Sequence, residues 1–263
     1  MPAALLELLA RSRVFDLSQP YYVGMPHHPA HAPYLYGMTK GHGDILFVDG
    51  ASSASEAIAL GAHVGTHIDA LCHFSKDGLL HGGFDAEAAQ TWGGGLDKHG
   101  VETIEPIVRR GVMLDVAAAA GMDALEADTV IGPEVLERAA AQQGVDLRED
   151  DVALLRTGWA RRWADARAFH NGGRAPGPGL EGARWLSERG IFAGGSDTVA
   201  FEFQPDPRMP VHVHFLVEQG IHILEALDLE PLAQAGVHEF AFVAAPLKIV
   251  GGTGAPIRPL ALA

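Results

Sequence analysis

The chain reads as a mixed α/β protein. Three observations predict it: short apolar or alternating runs of strand length, amphipathic stretches with helix stop signals set between them, and a globular composition. That composition is 48% apolar and 20% charged over 263 residues, enough to build a core. The predicted strands are Val112 to Val116, Val152 to Arg156, Ile191 to Ala193, Gly220 to Leu224 and Glu239 to Ala244. Their spacing lacks the regularity of an eightfold barrel, and no GxGxxG opens a helix, so a dinucleotide fold has no support.

Each helix is argued from its ends. MPAALLELLARSR is short and amphipathic, with neither a basic leader nor an apolar run long enough to span, and is expected to be a surface helix. Gly132-Pro133 followed by EVLERAAAQQG puts proline in the first turn and Gly144 at the stop. Leu180 to Arg189, ending at Gly190, and Trp159 to Ala168 also read as helical. GGTGAP at 251–256 precedes the strand-like IRPLAL, so a hairpin is expected there rather than a phosphate cradle. With no repeat and no linker, 1–263 is read as a single domain.

Net charge is −14, which disfavours nucleic acid and anionic membrane surfaces and leaves a small molecule as the expected partner. The single cysteine, Cys72, has no intrachain partner; it is expected to be a buried filler in a reducing, cytoplasmic setting.

The chemistry concentrates in HVGTHIDALCH, residues 63–73, which sets His63, His67, Asp69 and His73 within eleven residues. Imidazole and carboxylate are ligands for zinc, manganese or iron(II). A straight helix at about 100° per residue puts His63 and His67 on one face and Asp69 and His73 roughly opposite. A straight strand at about 3.3 Å per residue leaves His63 and His67 roughly 13 Å apart. The ligands converge only if the chain bends between them, and Gly65 has the freedom to do so. An HExxH helix is excluded because Val64 stands where that motif carries Glu.

A second cluster lies in MPVHVHFLVEQGIHILEALDL. A helical stretch ending near Gly220 precedes a strand that delivers Glu225 at its tip, with His212 and His214 upstream, while His222 is expected on the opposite strand face. Residues 19–38 hold four prolines and four tyrosines, so they form neither regular helix nor central strand. They read either as a pocket wall, in which Tyr21 and Tyr22 offer flat surface to substrate, or as a packed loop; His27, His28 and His31 are expected to be solvated. GGSDT carries Ser196 after a strand but fails the nucleophile-elbow pattern at Thr198, which favours a tight turn. RTGW either projects Arg156 or Thr157 into a pocket or turns the chain.

With these residues in view, the chain resembles the cyclase-like metal-dependent amidohydrolases, the family of bacterial kynurenine formamidases and isatin hydrolases. The HxGTHxDxxxH motif is complete, and FDLSQP, LLRTGW, GGSDT, PVH, ILEAL and APLKIVGGTGAPIRPLAL support it across most of the chain. The resemblance implies a swivelling β/β/α-type fold with a β-barrel-like sheet core and surrounding helices. It implies metal binding by His63, His67 and Asp69, general acid/base work by His73, and in two-metal members a further His and Glu, here Glu225 with His212 or His214. Ser196 is a substrate-binding candidate. One or two ions, zinc or manganese, and a homodimer or homotetramer are expected. Where relatives carry a proline inside the motif this chain has Ala70-Leu71-Cys72, and GMPHHPAHAP replaces their tryptophan-containing entry segment. The implied substrates therefore widen to cyclic amides, imides, lactones and aryl formamides. A metal-loaded binding protein and a metal-dependent lyase or dehydratase are the rival readings.

Overall fold

The computed structural model describes residues 3–263. Nine strands form one sheet: β1 Val14–Asp16, β2 His67–Asp69, β3 Ile107–Asp115, β4 Val152–Arg156, β5 Ala193–Ser196, β6 His222–Glu225, β7 Glu239–Ala244, β8 Gly254–Pro256 and β9 Leu260–Leu262. Their order is β1-β9-β7-β3-β4-β5-β6-β2-β8, which curls into a half-barrel with β1 and β8 as its edges. The centre, β3 to β6, is parallel, and the flanking pairs are antiparallel. Parallel neighbours need crossovers, and helices supply them: α2 Pro133–Gln143, α3 Leu180–Ser187, and α4 Pro210–His212, which continues as a π-helix over Val213–Gln219. At the N-terminus, α1 spans Ala3–Arg11.

Alternation sorts the side chains onto two faces. Met113, Leu154, Leu224 and Ile68 enter one core with Phe15, Leu17 and Phe242. Val112, Leu114, Ala153, Leu155 and Ile223 face the helices, meeting Leu136 and Ala139 of α2, Ala183 and Leu186 of α3, and Phe215 of the π-helix. Because Ile68 points into the first of these cores, its neighbours His67 and Asp69 must face the other side of the sheet.

The predicted strands at 152–156 and 239–244 match residue for residue. The strand expected from Val112 starts earlier, at Ile107, because Arg109 and Arg110 interrupt the apolar run while pairing with Phe242 and Ala241. Two expectations fail. The C-terminal hairpin does not form: β8 pairs with β2, and β9 lies between β1 and β7. The helix expected over Trp159 to Ala168 divides into a 3-10 turn, Trp159–Arg162, and a short helix, Ala166–His170. Asp165 causes the break, its carboxylate accepting the N–H groups of Arg167 and Ala168 to start a new helix. Among the described residues, no helix is long and apolar enough to cross a membrane.

Candidate metal centre

The bend between the first two histidines occurs where the sequence requires it. Gly65 has φ +66°, and a Cβ there would lie 2.4 Å from the Tyr21 ring. His63 precedes the bend in a turn, and β2 begins at His67. Thr66 locks the corner: its hydroxyl accepts the Gln19 N–H and donates to the Ala226 carbonyl, while its carbonyl accepts from the Tyr21 hydroxyl and the Ile257 N–H. Three distant segments are thus tied to one residue of the motif.

Sheet register completes the cluster. β6 runs antiparallel to β2 with Glu225 opposite His67 and Ile223 opposite Asp69. Asp69 Oδ1 lies 2.7 Å from His63 Nδ1 and 3.5 Å from His67 Nε2. On its other side, Asp69 Oδ2 is 3.9 Å from His212 Nε2, which stands 3.3 Å from Glu225 Oε1. Two groups can therefore each hold an ion, His63, His67 and Asp69, and Asp69, His212 and Glu225, with the Asp69 carboxylate common to both.

The donor set fits a divalent cation on two independent grounds. His67 Nδ1 donates to the Gly65 carbonyl, which leaves Nε2 buried without a hydrogen-bond partner, and Asp69 Oδ2 is orphaned beside it. Buried polar atoms without partners are rare because each forfeits its hydration. The potential agrees. Burial pushes His212 down, but Glu202 and Glu225 outweigh it and lift its pKa to about 10. Against burial, His212 and His67 bring Glu225 down to about 2. Asp69 is likewise held well below the usual carboxylate range, its burial outweighed by the surrounding histidines. Such a negative, imidazole-rich site suits zinc, manganese or iron(II).

Two supporting residues escape the sequence reading. Glu202, nearly fully buried, accepts His212 Nδ1 and the backbone N–H groups of Val211 and His212, so it both caps the helix and aims Nε2 at the cluster. No sequence signal links an acid to a histidine ten positions on; only the loop between β5 and α4 joins them. Thr253 Oγ1 meets His63 Nε2 at 2.8 Å, which leaves Nδ1 facing Asp69. Its sign was the GGTGAP segment, whose Gly254 lies so close to His63 that a Cβ would sit 2.6 Å from the ring. A Glu202→Gln protein keeps an acceptor for the helix but loses the carboxylate. It is expected to remain folded and to bind zinc about 10- to 100-fold more weakly, as measured by competition with a chromophoric chelator.

Other candidates go elsewhere. The alternative between His212 and His214 resolves geometrically: His214 turns away, with Nδ1 on Glu218 and Nε2 on Ser187. His222 hydrogen-bonds the Asp69 carbonyl and packs on Phe192 rather than joining the cluster. The structure does not bring Ser196 to the cavity. It is fully buried at the end of β5 and shares a hydrogen bond with Thr198, because the residue alternation turns it into the protein. Tyr21 buttresses Gly65, and Tyr22 donates to the Trp163 carbonyl, so neither offers its ring to the cavity. Arg156 pairs with Asp115 and Glu230, and Thr157 with Asp197, so the RTGW segment is a turn. The Cys72 thiol is buried and pushed up to about 12 by desolvation, which makes it inert.

The cavity over the cluster has a volume of about 310 Å³ and is lined by His28, His31, His63, His73, Phe74, Gln204, Met209 and His212, among others. Residues 28–31 are its wall, so the upstream segment reaches the site through histidines, not tyrosines. The His73 ring stacks on His63 with centroids 3.8 Å apart. Burial, reinforced by His63 and His212, pushes its pKa down to about 3 despite Asp69. His73 is therefore an uncharged imidazole at neutral pH.

Asp197 behind the site accepts the Thr157 N–H and hydroxyl, yet burial raises its pKa to about 6. The folded state holds this proton where the unfolded state releases it, so stability falls as pH rises from about 4 to about 6. Asp197→Asn keeps the Oδ1 acceptor without the titration. Relative to the variant, the wild-type protein is expected to lose about 2 kcal/mol across that window, part of a full effect of about 1.4 kcal/mol per pKa unit. Urea midpoints of both proteins in chelator at pH 4 and pH 6.5 measure it.

Among curated proteins, an isatin hydrolase of Roseibium aggregatum is 26% identical over 222 residues, 81% of this chain and 76% of the relative. A kynurenine formamidase of Bacillus thuringiensis is 25% identical over 250 residues, 94% of this chain and 96% of the relative. A crystal structure described as a novel cyclase superposes with a TM-score of 0.87 at 27% identity, covering 99% of this chain and 91% of the other. The family model Cyclase, described as "Putative cyclase", matches residues 15–203, a span that holds the whole HxGTHxDxxxH motif and Glu202. On that match and the shared half-barrel fold, the chain belongs to the cyclase family.

Proposed function

We propose that the protein is a metal-dependent hydrolase that opens a cyclic amide, imide or lactone, or cleaves an aryl formamide. One observation carries this reading: an Asp69 carboxylate shared by two groups of metal-ligand type, whose members His63, His212 and Glu225 line a cavity together with the uncharged His73. The names of the relatives, isatin hydrolase and kynurenine formamidase, support amide substrates joined to an aromatic ring.

Zinc or manganese held by His63, His67 and Asp69, and by Asp69, His212 and Glu225, supplies Lewis acidity toward the substrate carbonyl and acidity to water. His73, neutral before reaction, takes the proton of the attacking water and returns it to the departing nitrogen or oxygen. Stacking on His63 holds its ring beside the reacting centre. Phe74, Val199, Ala200 and Met209 exclude bulk water and accept a flat ring, while Gln204 offers an amide to substrate carbonyls. A cavity of about 310 Å³ is at the small end of ligand sites, which run roughly 300–1,000 Å³. It therefore selects a compact substrate. The lone buried thiol agrees with a cytoplasmic location.

The test is incubation of zinc- or manganese-loaded protein with cyclic amides, imides, lactones and N-formyl aryl amines, following ring opening or formate release. Turnover of at least one class, abolished by chelator and restored by the ion, is expected. Binding of these compounds without turnover under either ion would leave a sequestering protein instead.

A further inference from the structure

The geometry assigns His28 and His31 to substrate recognition: they donate to a second carbonyl oxygen, carried on the same small ring as the bond to be cleaved. This deepens the hydrolytic reading above and rests on it.

The pair is built by the local sequence His28-Pro29-Ala30-His31. The His31 N–H donates to the His28 carbonyl at 3.0 Å, which closes a turn over these residues. Pro29 holds the second position of that turn, where its fixed φ is favourable. Such a turn brings its first and last residues together, and the two imidazole centroids lie 5.8 Å apart. Gly61 pins the far end. Its N–H donates to the Ala32 carbonyl, and a Cβ there would stand 3.3 Å from the His31 Cβ. The same returning segment delivers His63, so the His31 ring rests 5.1 Å from the His63 ring and 6.4 Å from that of His73.

These two rings hold the donors that the site has not otherwise committed. Apart from the two ligand groups and His73, the polar side chains on the cavity lining are His28, His31 and Gln204. Gln204 already turns its amide N–H toward the Met209 thioether. His28 Nδ1 accepts the Ala30 N–H at 3.2 Å, which fixes the tautomer and leaves the ring hydrogen on Nε2. The His31 ring packs on imidazoles and makes no hydrogen bond of its own among the described residues. Neither histidine belongs to a group that could hold an ion.

Position sets the substrate class. His31 stands about one ring's width from His63 and His73, so the acceptor it meets belongs to the reacting ring and not to a long arm. The proposed substrates divide on this point. A cyclic imide keeps a second carbonyl on its ring, whereas a simple lactam or lactone has only the one that reacts. A site built to donate to a carbonyl rejects the analogue that lacks it, because its own polar groups are then left unpaired.

The test is equilibrium binding, by calorimetry, of phthalimide and of isoindolin-1-one, the same ring system with one carbonyl fewer. The proteins are zinc-loaded His73→Ala and the same protein carrying also His31→Phe, His31→Gln or His28→Phe. Circular dichroism controls for folding, and the zinc-induced rise in Tm for loading. The parent is expected to bind phthalimide about 10-fold more tightly than isoindolin-1-one. His31→Phe, which keeps a flat ring without a donor, should weaken phthalimide roughly 10-fold and isoindolin-1-one less than about 2-fold. His28→Phe should reduce the preference as well, and His31→Gln, which keeps an N–H, should retain part of it. In the His73-containing enzyme, His31→Phe should raise KM for phthalimide with little change in kcat. Equal weakening of both compounds, unchanged phthalimide binding in His31→Phe, or a parent that binds neither compound or both alike would overturn the proposal. Binding is read without turnover, so a protein that shows this pattern yet hydrolyses neither compound refutes the enzymatic reading alone.

Discussion

An Asp69→Asn protein is expected to fold, to gain no stability from zinc or manganese, and to lose hydrolytic activity to the detection limit. The side chain remains the right size, and its amide oxygen still accepts from His63 Nδ1, whose 2.7 Å partner it replaces. The negative charge is lost, and with it the one carboxylate common to both ligand groups. The penalty should exceed the roughly 10- to 100-fold that loss of an outer-sphere partner costs. Thermal melts with and without metal give a readout separate from activity. An ion at 1,000 times its dissociation constant stabilises the wild type by about 4 kcal/mol. For a chain of this size that is roughly 8–16 °C in Tm, at about 2–4 °C per kcal/mol. A variant that keeps this metal-induced rise would refute a central role for Asp69.

The second large effect concerns His73. Replacing it by Ala should leave the metal-induced Tm rise intact while lowering kcat by about 10²- to 10⁴-fold, the range of a positioned general acid/base. KM should change little, since Phe74 and Met209 still wall the cavity. Added imidazole should restore part of the rate by filling the space the side chain vacates against His63. A merely structural His73 would give no such rescue and would lower the metal response together with kcat. Normal kcat in a fully metal-loaded variant would remove His73 from the mechanism.

Legibility in the sequence followed the range of the interaction. The helix Pro133–Gln143 and the strands at 152–156 and 239–244 were readable because their signals, proline and glycine at the ends or a short apolar run, act over a few residues. The bend at Gly65 was readable for a related reason: no regular element can bring His63 and His67 to one point. The C-terminal hairpin was misread because local pattern announces strands but not their partners, and both partners of β8 and β9 come from far away in sequence. Ser196, Tyr21 and Tyr22 were misplaced similarly, since a polar or aromatic side chain near a motif carries no mark of the direction in which it points.

By itself, then, the sequence determined which imidazole and carboxylate side chains form the first cluster, the turn that gathers three of them, and the mixed α/β class, all consequences of short-range geometry. Tertiary structure alone decided that His212 and not His214 joins Asp69, that Glu202 and Thr253 aim the imidazoles, and that His28 and His31 wall the cavity. The physical reason is register. Which residue of β6 lies opposite His67, and which turn of the helix after β5 overhangs it, depends on packing across the whole sheet, and no segment read alone contains that information.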